Sequence, residues 1–214
     1  MRKLALSPSY DSFRSNIAGF ALSTFKKTAD KPKYTNDEKH AYNASQAAYG
    51  SYEHYQQLKL HGYDIDNDLS THNTKIYANG ENAIVAYRGT VSDPEDLSAD
   101  VAIAGGIHNM HDAFWTAKAV GERASKKYKN VLYTGHSLGG TKAIETSKIY
   151  GGQAVVFNPG SSPTRKLNVG NAKVYRTNQD YISYNTNAVK PVVVKGSHSL
   201  SDFEKVFDES AEKQ

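Results

Sequence analysis

The first residues with chemistry in them are Val131-Leu132-Tyr133-Thr134-Gly135-His136-Ser137-Leu138-Gly139-Gly140, which place a serine at the centre of a Gly-x-Ser-x-Gly spacing. A chain that leaves a buried strand and turns at once into a helix puts its apex residue in a strained backbone conformation. Glycines two positions to either side let the neighbouring backbones approach without a Cβ clash. The turn pushes the Ser137 hydroxyl outward, beside the amides and positive dipole end of the helix that begins there, where an oxyanion would be stabilised. The context the turn requires is present: 131–133 is a β-prone run, and 141–150 reads as a helix closed by Gly151-Gly152. Without a base to take its proton, such a serine would be no more than a solvated turn residue.

The base and its acid follow by exclusion. In elbow-bearing folds they come after the nucleophile in the order acid, histidine. Only His198 follows Ser137, and only Glu145 and Asp180 lie between the two. Glu145 falls within the helix leaving the elbow, about two turns on, where it cannot also reach the back of the histidine. Asp180 remains, at a strand end, where the ligand-facing loops of such sheets lie. In these roles a neutral imidazole takes the serine proton and returns it to a leaving alcohol, while the carboxylate fixes the tautomer and stabilises the imidazolium. The other histidines (His40, His54, His61, His72, His108, His111 and His136) show no pair at compelling metal spacing, so neither a metal nor another cofactor is expected.

Several elements must position these residues. Thr35-Asn36-Asp37-Glu38 has the spacing of a capping box and predicts a helix carrying Ala41, Tyr42, Ala44, Ala47, Ala48 and Tyr49, broken near Gly50 and resuming from 51 to 60. Its small residues imply close packing on a sheet. Asn79-Gly80 between the β-prone runs 74–77 and 83–87 is a hairpin signal,. A helix is expected from 114 to 127 and buried strands at 153–157, 172–176 and 191–195. Strands alternating with helices argue for an α/β fold with a largely parallel central sheet flanked by helices.

The 214 residues fit one such domain with a sizeable core,. Cysteine is absent, which excludes disulfides, thiolate metal sites and thiol nucleophiles. No apolar run reaches a membrane-spanning length and residues 1–9 lack the apolar core of a secretory signal,, so a soluble, cytoplasmic protein is expected. The net charge of +4 is an N-terminal property: residues 1–34 hold seven basic residues against Asp11 and Asp30. We read 1–34 as a basic amphipathic arm and linker and 35–214 as the catalytic body. Phe13, Ile17, Phe20, Ala21 and Phe25 recur at helical spacing, with Lys26 and Lys27 behind them. That face either packs on the body or meets an anionic membrane surface or a partner. A nucleic-acid partner is not expected, because the rest of the chain is slightly acidic,.

Tyr87-Arg88-Gly89-Thr90, Gly135-His136-Ser137-Leu138-Gly139-Gly140, Asn158-Pro159-Gly160-Ser161, Asn178-Gln179-Asp180 and Gly196-Ser197-His198-Ser199-Leu200 together resemble the class 3 (fungal-type) lipases of the α/β-hydrolase fold, over about residues 35–207. The resemblance implies a serine carboxylic-ester hydrolase (lipase, phospholipase A1 or esterase), with Ser137, Asp180 and His198 as a triad. It also implies an oxyanion hole from the backbone amides of Thr90 and Leu138. In the family a lid follows the first of these donors, which implies that 91–100 is its counterpart and Asp100 a structural aspartate. The segment differs from the family in being acidic, with Asp93, Glu95 and Asp96, and Ala113 stands where the family has glycine. The acidic lid disfavours interfacial activation on bulk triacylglycerol and favours a soluble ester or a membrane phospholipid. In its compact size the chain is similar to lipase-like proteins of large DNA viruses and phages, a resemblance that implies a virion-associated protein as the alternative to a cytoplasmic one. A lipase-fold protein that binds partners without turnover is the alternative, and the loss of a triad member would be its sign.

Overall fold

The computed structural model describes residues 34–89, 108–161, 166–188 and 190–208, with backbone alone for 108–113. Residues 1–33 of the N-terminal arm, Thr90, the lid segment with Asp100, and the side chain of Ala113 therefore lie outside the described residues.

The described chain folds as a seven-stranded sheet flanked by helices, in the order β1 (Asp64–Ile65), β2 (Thr74–Asn79), β3 (Asn82–Tyr87), β4 (Asn130–His136), β5 (Gln153–Phe157), β6 (Lys173–Thr177) and β7 (Val192–Val194). The first three strands pair antiparallel and β3 to β7 pair in parallel, as the alternation of strands and helices predicts. Helix α1 (Asn36–Ala48) opens with the expected capping box: Glu38 N–H donates to Thr35 Oγ1 at 3.2 Å and Thr35 N–H to Glu38 Oε2 at 2.8 Å. It ends where Gly50 takes a φ of 102°, and α2 (Tyr52–Leu60) follows.

Both faces of the sheet are buried, so residues 83–87 of β3 and 154–157 of β5 are apolar at successive positions instead of alternating,. In β3, Ala83, Val85 and Tyr87 face one cluster and Ile84 and Ala86 the other. The first cluster is closed by Ala117, Val120 and Ala124 of α3 (His108–Lys127) and by Ala143 and Ile144 of α4 (Leu138–Tyr150). The two crossovers β3–α3–β4 and β4–α4–β5 run in the same direction along the sheet, so their common handedness brings both helices to one side. The opposite side is covered by α1, whose Ala41 and Ala44 are fully buried. Its Ser45 hydroxyl lies 2.9 Å from Thr134 Oγ1 of β4.

The hairpin differs from expectation by one residue. Asn79 pairs with Asn82, so the two turn residues are Gly80 and Glu81, with Gly80 at φ 59°. That is the glycine-first form of a two-residue loop. Helix α3 begins at His108, six residues before the predicted start. Two further elements carry no clear signal in the sequence: the two-residue edge strand β1, and a C-terminal 3-10 turn (Leu200–Phe203) running into the short helix α5 (Glu204–Phe207). The latter inserts Phe203 and Phe207 against Phe157 and Tyr175.

Candidate active site

Ser137 stands between the last residue of β4 and the first of α4 with φ 55° and ψ −129°, a conformation L-residues adopt only when their surroundings impose it. Packing imposes it here. A Cβ on Gly139 would sit 2.1 Å from the carbonyl oxygen of Tyr87, and one on Gly135 would sit 2.5 Å from the backbone of Gly139. The end of β3, the end of β4 and the start of α4 thus touch backbone to backbone. The turn is fastened by Ser137 N–H donating to Phe157 O (3.2 Å) and Gly160 N–H donating to Ser137 O (2.9 Å). Ser137 is 1% exposed, and its Oγ has no hydrogen-bond partner among the described residues. Leu138 opens α4, so its amide is among the four with no intrahelical acceptor.

Asp180 and His198 come together from the ends of β6 and β7. His198 Nδ1 lies 2.8 Å from Asp180 Oδ1, an ion-pair distance without full hydrogen-bond alignment, and the Asp180 side chain is fully buried. Burial alone would raise the Asp180 pKa. His198 outweighs it, helped by the Ser183 hydroxyl and the Ile182 amide, which donates to Oδ1 at 2.9 Å, and the carboxyl is held below its usual range. His198 Nε2, like Ser137 Oγ, has no hydrogen-bond partner among the described residues. Glu145 is elsewhere, half-exposed on α4 and 2.8 Å from Lys148 Nζ.

The two loops are laced together: Asn178 N–H donates to Val194 O, Gln179 N–H to Gly196 O, and Gly196 N–H to Asn178 Oδ1. Asn158, fully buried at φ 41°, donates from Nδ2 to Ser197 O (3.2 Å) and accepts from Thr177 N–H (2.8 Å). Asp202 accepts from the Ser197 amide at 2.7 Å. These polar clamps hold the histidine loop from both sides. Asn158 was visible as part of an Asn-Pro-Gly motif, but nothing in its spacing told that its side chain would reach Ser197.

Sequence reasoning also passed over His136 and Tyr49. His136 Nε2 is 2.8 Å from His198 O, its Nδ1 is 3.3 Å from Tyr49 Oη, and its ring centroid is 4.8 Å from that of His198. Gly89 N–H donates to the same Tyr49 oxygen at 2.9 Å. Burial, and then the neighbouring His198, push the His136 pKa down to about 3. Burial raises that of Tyr49 to about 12. Among the described residues no group of three or more His, Cys, Asp or Glu side chains is arranged to hold a metal ion.

A family model described as Phospholipase-like: Tle-like phospholipase domain matches residues 29–197, a span that includes Ser137 and Asp180 and stops one residue before His198. Among solved structures, the chain is similar to a protein described as a hydrolase of the alpha/beta superfamily from Xanthomonas campestris pv. campestris. The TM-score is 0.37 and the identity 14%, over 57% of this chain and 81% of that one. No curated protein matches the sequence.

Proposed function

Because the chain belongs to the family of Tle-like phospholipase domains, we propose that it hydrolyses a carboxylic ester of a membrane phospholipid, with Ser137 as nucleophile, His198 as base and Asp180 as its orienting acid. The observation that carries the proposal is that one fold holds both a conformationally forced Ser137 hydroxyl, without a hydrogen-bond partner among the described residues, and a buried carboxylate 2.8 Å from His198 Nδ1. In a hydrolase site of this kind such features have work to do. Elsewhere they would only destabilise the fold.

In the proposed reaction His198 Nε2 takes the proton of Ser137 Oγ as that oxygen attacks the ester carbonyl. The oxyanion is held by the amides of Leu138 and Thr90, the roles implied by likeness to class 3 lipases. Collapse of the tetrahedral species breaks the bond to the alcohol, which leaves with the proton from His198, and a serine ester remains. Water, deprotonated by the same imidazole, then attacks the serine ester. The fatty acid leaves and Ser137 recovers its proton. Asp180, with its pKa already depressed, stays ionised through the cycle and stabilises the imidazolium,.

The substrate class is tested with a panel running from soluble short-chain esters to triacylglycerol emulsion and phospholipid vesicles. Fatty acid release from phospholipid vesicles, lost in Ser137→Ala, is expected. Turnover confined to the emulsion or to soluble esters would contradict the phospholipid assignment.

A further inference from the structure

The bonds around His136 dictate where its proton is. Its Nε2 faces the carbonyl oxygen of His198 at 2.8 Å, and a carbonyl can only accept, so Nε2 carries the hydrogen. Its Nδ1 faces Tyr49 Oη at 3.3 Å, and that hydroxyl already accepts from Gly89 N–H at 2.9 Å. The Tyr49 proton is therefore available for Nδ1. A single direction of donation satisfies every member: Gly89 N–H to Tyr49 Oη, Tyr49 O–H to His136 Nδ1, and His136 Nε2–H to His198 O.

We propose that Tyr49 and His136 are positioning residues, forming a proton-ordered strut that fixes the histidine loop and the end of β3 relative to Ser137. This inference rests on the reading of His198 as the base. The strut starts in the C-cap of α1, passes through the residue preceding the nucleophile, and ends on the backbone of the base. It also holds Gly89, whose Cα lies so close to the elbow that an added Cβ would be 3.2 Å from that of Ser137. One chain of bonds thus reaches three of the loops that meet at the serine. His136 and Gly89 are buried and Tyr49 is half-buried, and His136, its pKa lowered to about 3, remains neutral as the strut requires. The Arg88 guanidinium lies 5.6 Å over the Tyr49 ring and adds a second contact that holds this ring in place,.

The test combines a spectroscopic and a kinetic reading. In the intact protein, nitrogen-15 shifts of the imidazoles are expected to show His136 as the neutral Nε2–H tautomer from pH 5 to 8. An Nδ1–H tautomer, or titration of His136 in that range, would overturn the strut. On a soluble short-chain ester, Tyr49→Phe and His136→Met are expected to lower kcat by about 10–100-fold with KM within about twofold. His136→Gln, which keeps a donor toward His198 O and an acceptor toward Tyr49, is expected to recover most of that loss. Equal losses in His136→Gln and His136→Met at matched melting temperature, or losses falling on KM, would overturn the positioning role. The tautomer is read without turnover, so a wrong base assignment and a wrong strut give different results.

Discussion

Ser137 combines two costs that the fold would shed if it could. A non-glycine residue in its conformation is strained by roughly 1–3 kcal/mol, and a buried hydroxyl without a partner costs about 1–3 kcal/mol more. Ser137→Ala is expected to abolish ester hydrolysis while leaving thermal stability at or above that of the parent. Ser137→Gly, which relieves the positive φ, is expected to melt higher still. A large drop in melting temperature for either variant would show Ser137 to be a structural residue. The acid is tested by contrast. Asp180→Asn is expected to cut kcat on the order of 10⁴-fold, since an amide can hold the wrong histidine tautomer. Glu145→Gln removes only a half-exposed pair with Lys148, worth at most about 1 kcal/mol, and is expected to be nearly silent. Linkage supplies a second reading. The folded-state pKa of Asp180 is depressed, so its stabilisation is present above the ordinary carboxylate range and is lost as pH falls through the lower folded value. His136 works in the same direction. With its pKa lowered from 6.5 to about 3, the unfolded chain binds a proton between those values that the folded chain does not, and stability rises with pH there. His136→Gln is therefore expected to flatten the rise in melting temperature between pH 4 and 6. An unchanged slope would contradict the neutrality of His136.

At the scale of elements, the C-terminal 3-10 turn and α5 connect packing to chemistry, because Leu200–Phe203 begins two residues after His198. Phe203 is fully buried, and its ring stands 5.4 Å from that of Phe157. Phe203→Ala is expected to cost about 3–5 kcal/mol and to lower the melting temperature by several degrees for each kcal/mol. An exposed-residue cost of a few tenths of a kcal/mol would mean that the C-terminal segment does not close the core. This segment is also where the sequence was least legible. Its apolar residues occupy too few turns to establish a period, whereas Thr35 and Glu38 announced α1 through a local side-chain exchange, and the glycines flanking Ser137 announced the elbow through backbone contact. The hairpin was off by one residue because Asn79-Gly80 and Gly80-Glu81 satisfy the same two-residue loop, and only the cross-strand register of Asn79 with Asn82 chooses between them. That Asp180 and His198 lie together could be anticipated by exclusion, since few carboxylates and one histidine follow the serine. The contacts of Tyr49, His136 and Asn158 could not, because they depend on groups meeting from α1, β4, β6 and the loops after β5 and β7.

For the whole molecule, the uneven charge raises the question of where a phospholipid would be met. Among the described residues no helix is long and apolar enough to cross a membrane. The basic residues of 1–34 and the aromatic positions Phe13, Phe20 and Phe25 lie outside the described residues, and we propose that this arm contacts the lipid surface. Each basic residue near an anionic surface contributes roughly 1 kcal/mol, a share that salt erodes. Deletion of residues 1–30 is expected to weaken co-sedimentation with anionic vesicles far more than it lowers hydrolysis of a soluble ester, with little change in melting temperature. A lowered melting temperature with uniform loss on every ester would instead mean that the arm packs on the body. All of this depends on Ser137 being the nucleophile, and the most direct measurement is fluorophosphonate labelling of the full chain followed by peptide mapping. A single phosphonyl adduct on Ser137 is expected, with labelling slowed by several orders of magnitude in His198→Ala. An adduct at another residue, or the absence of any adduct while esters are still hydrolysed, would contradict the account.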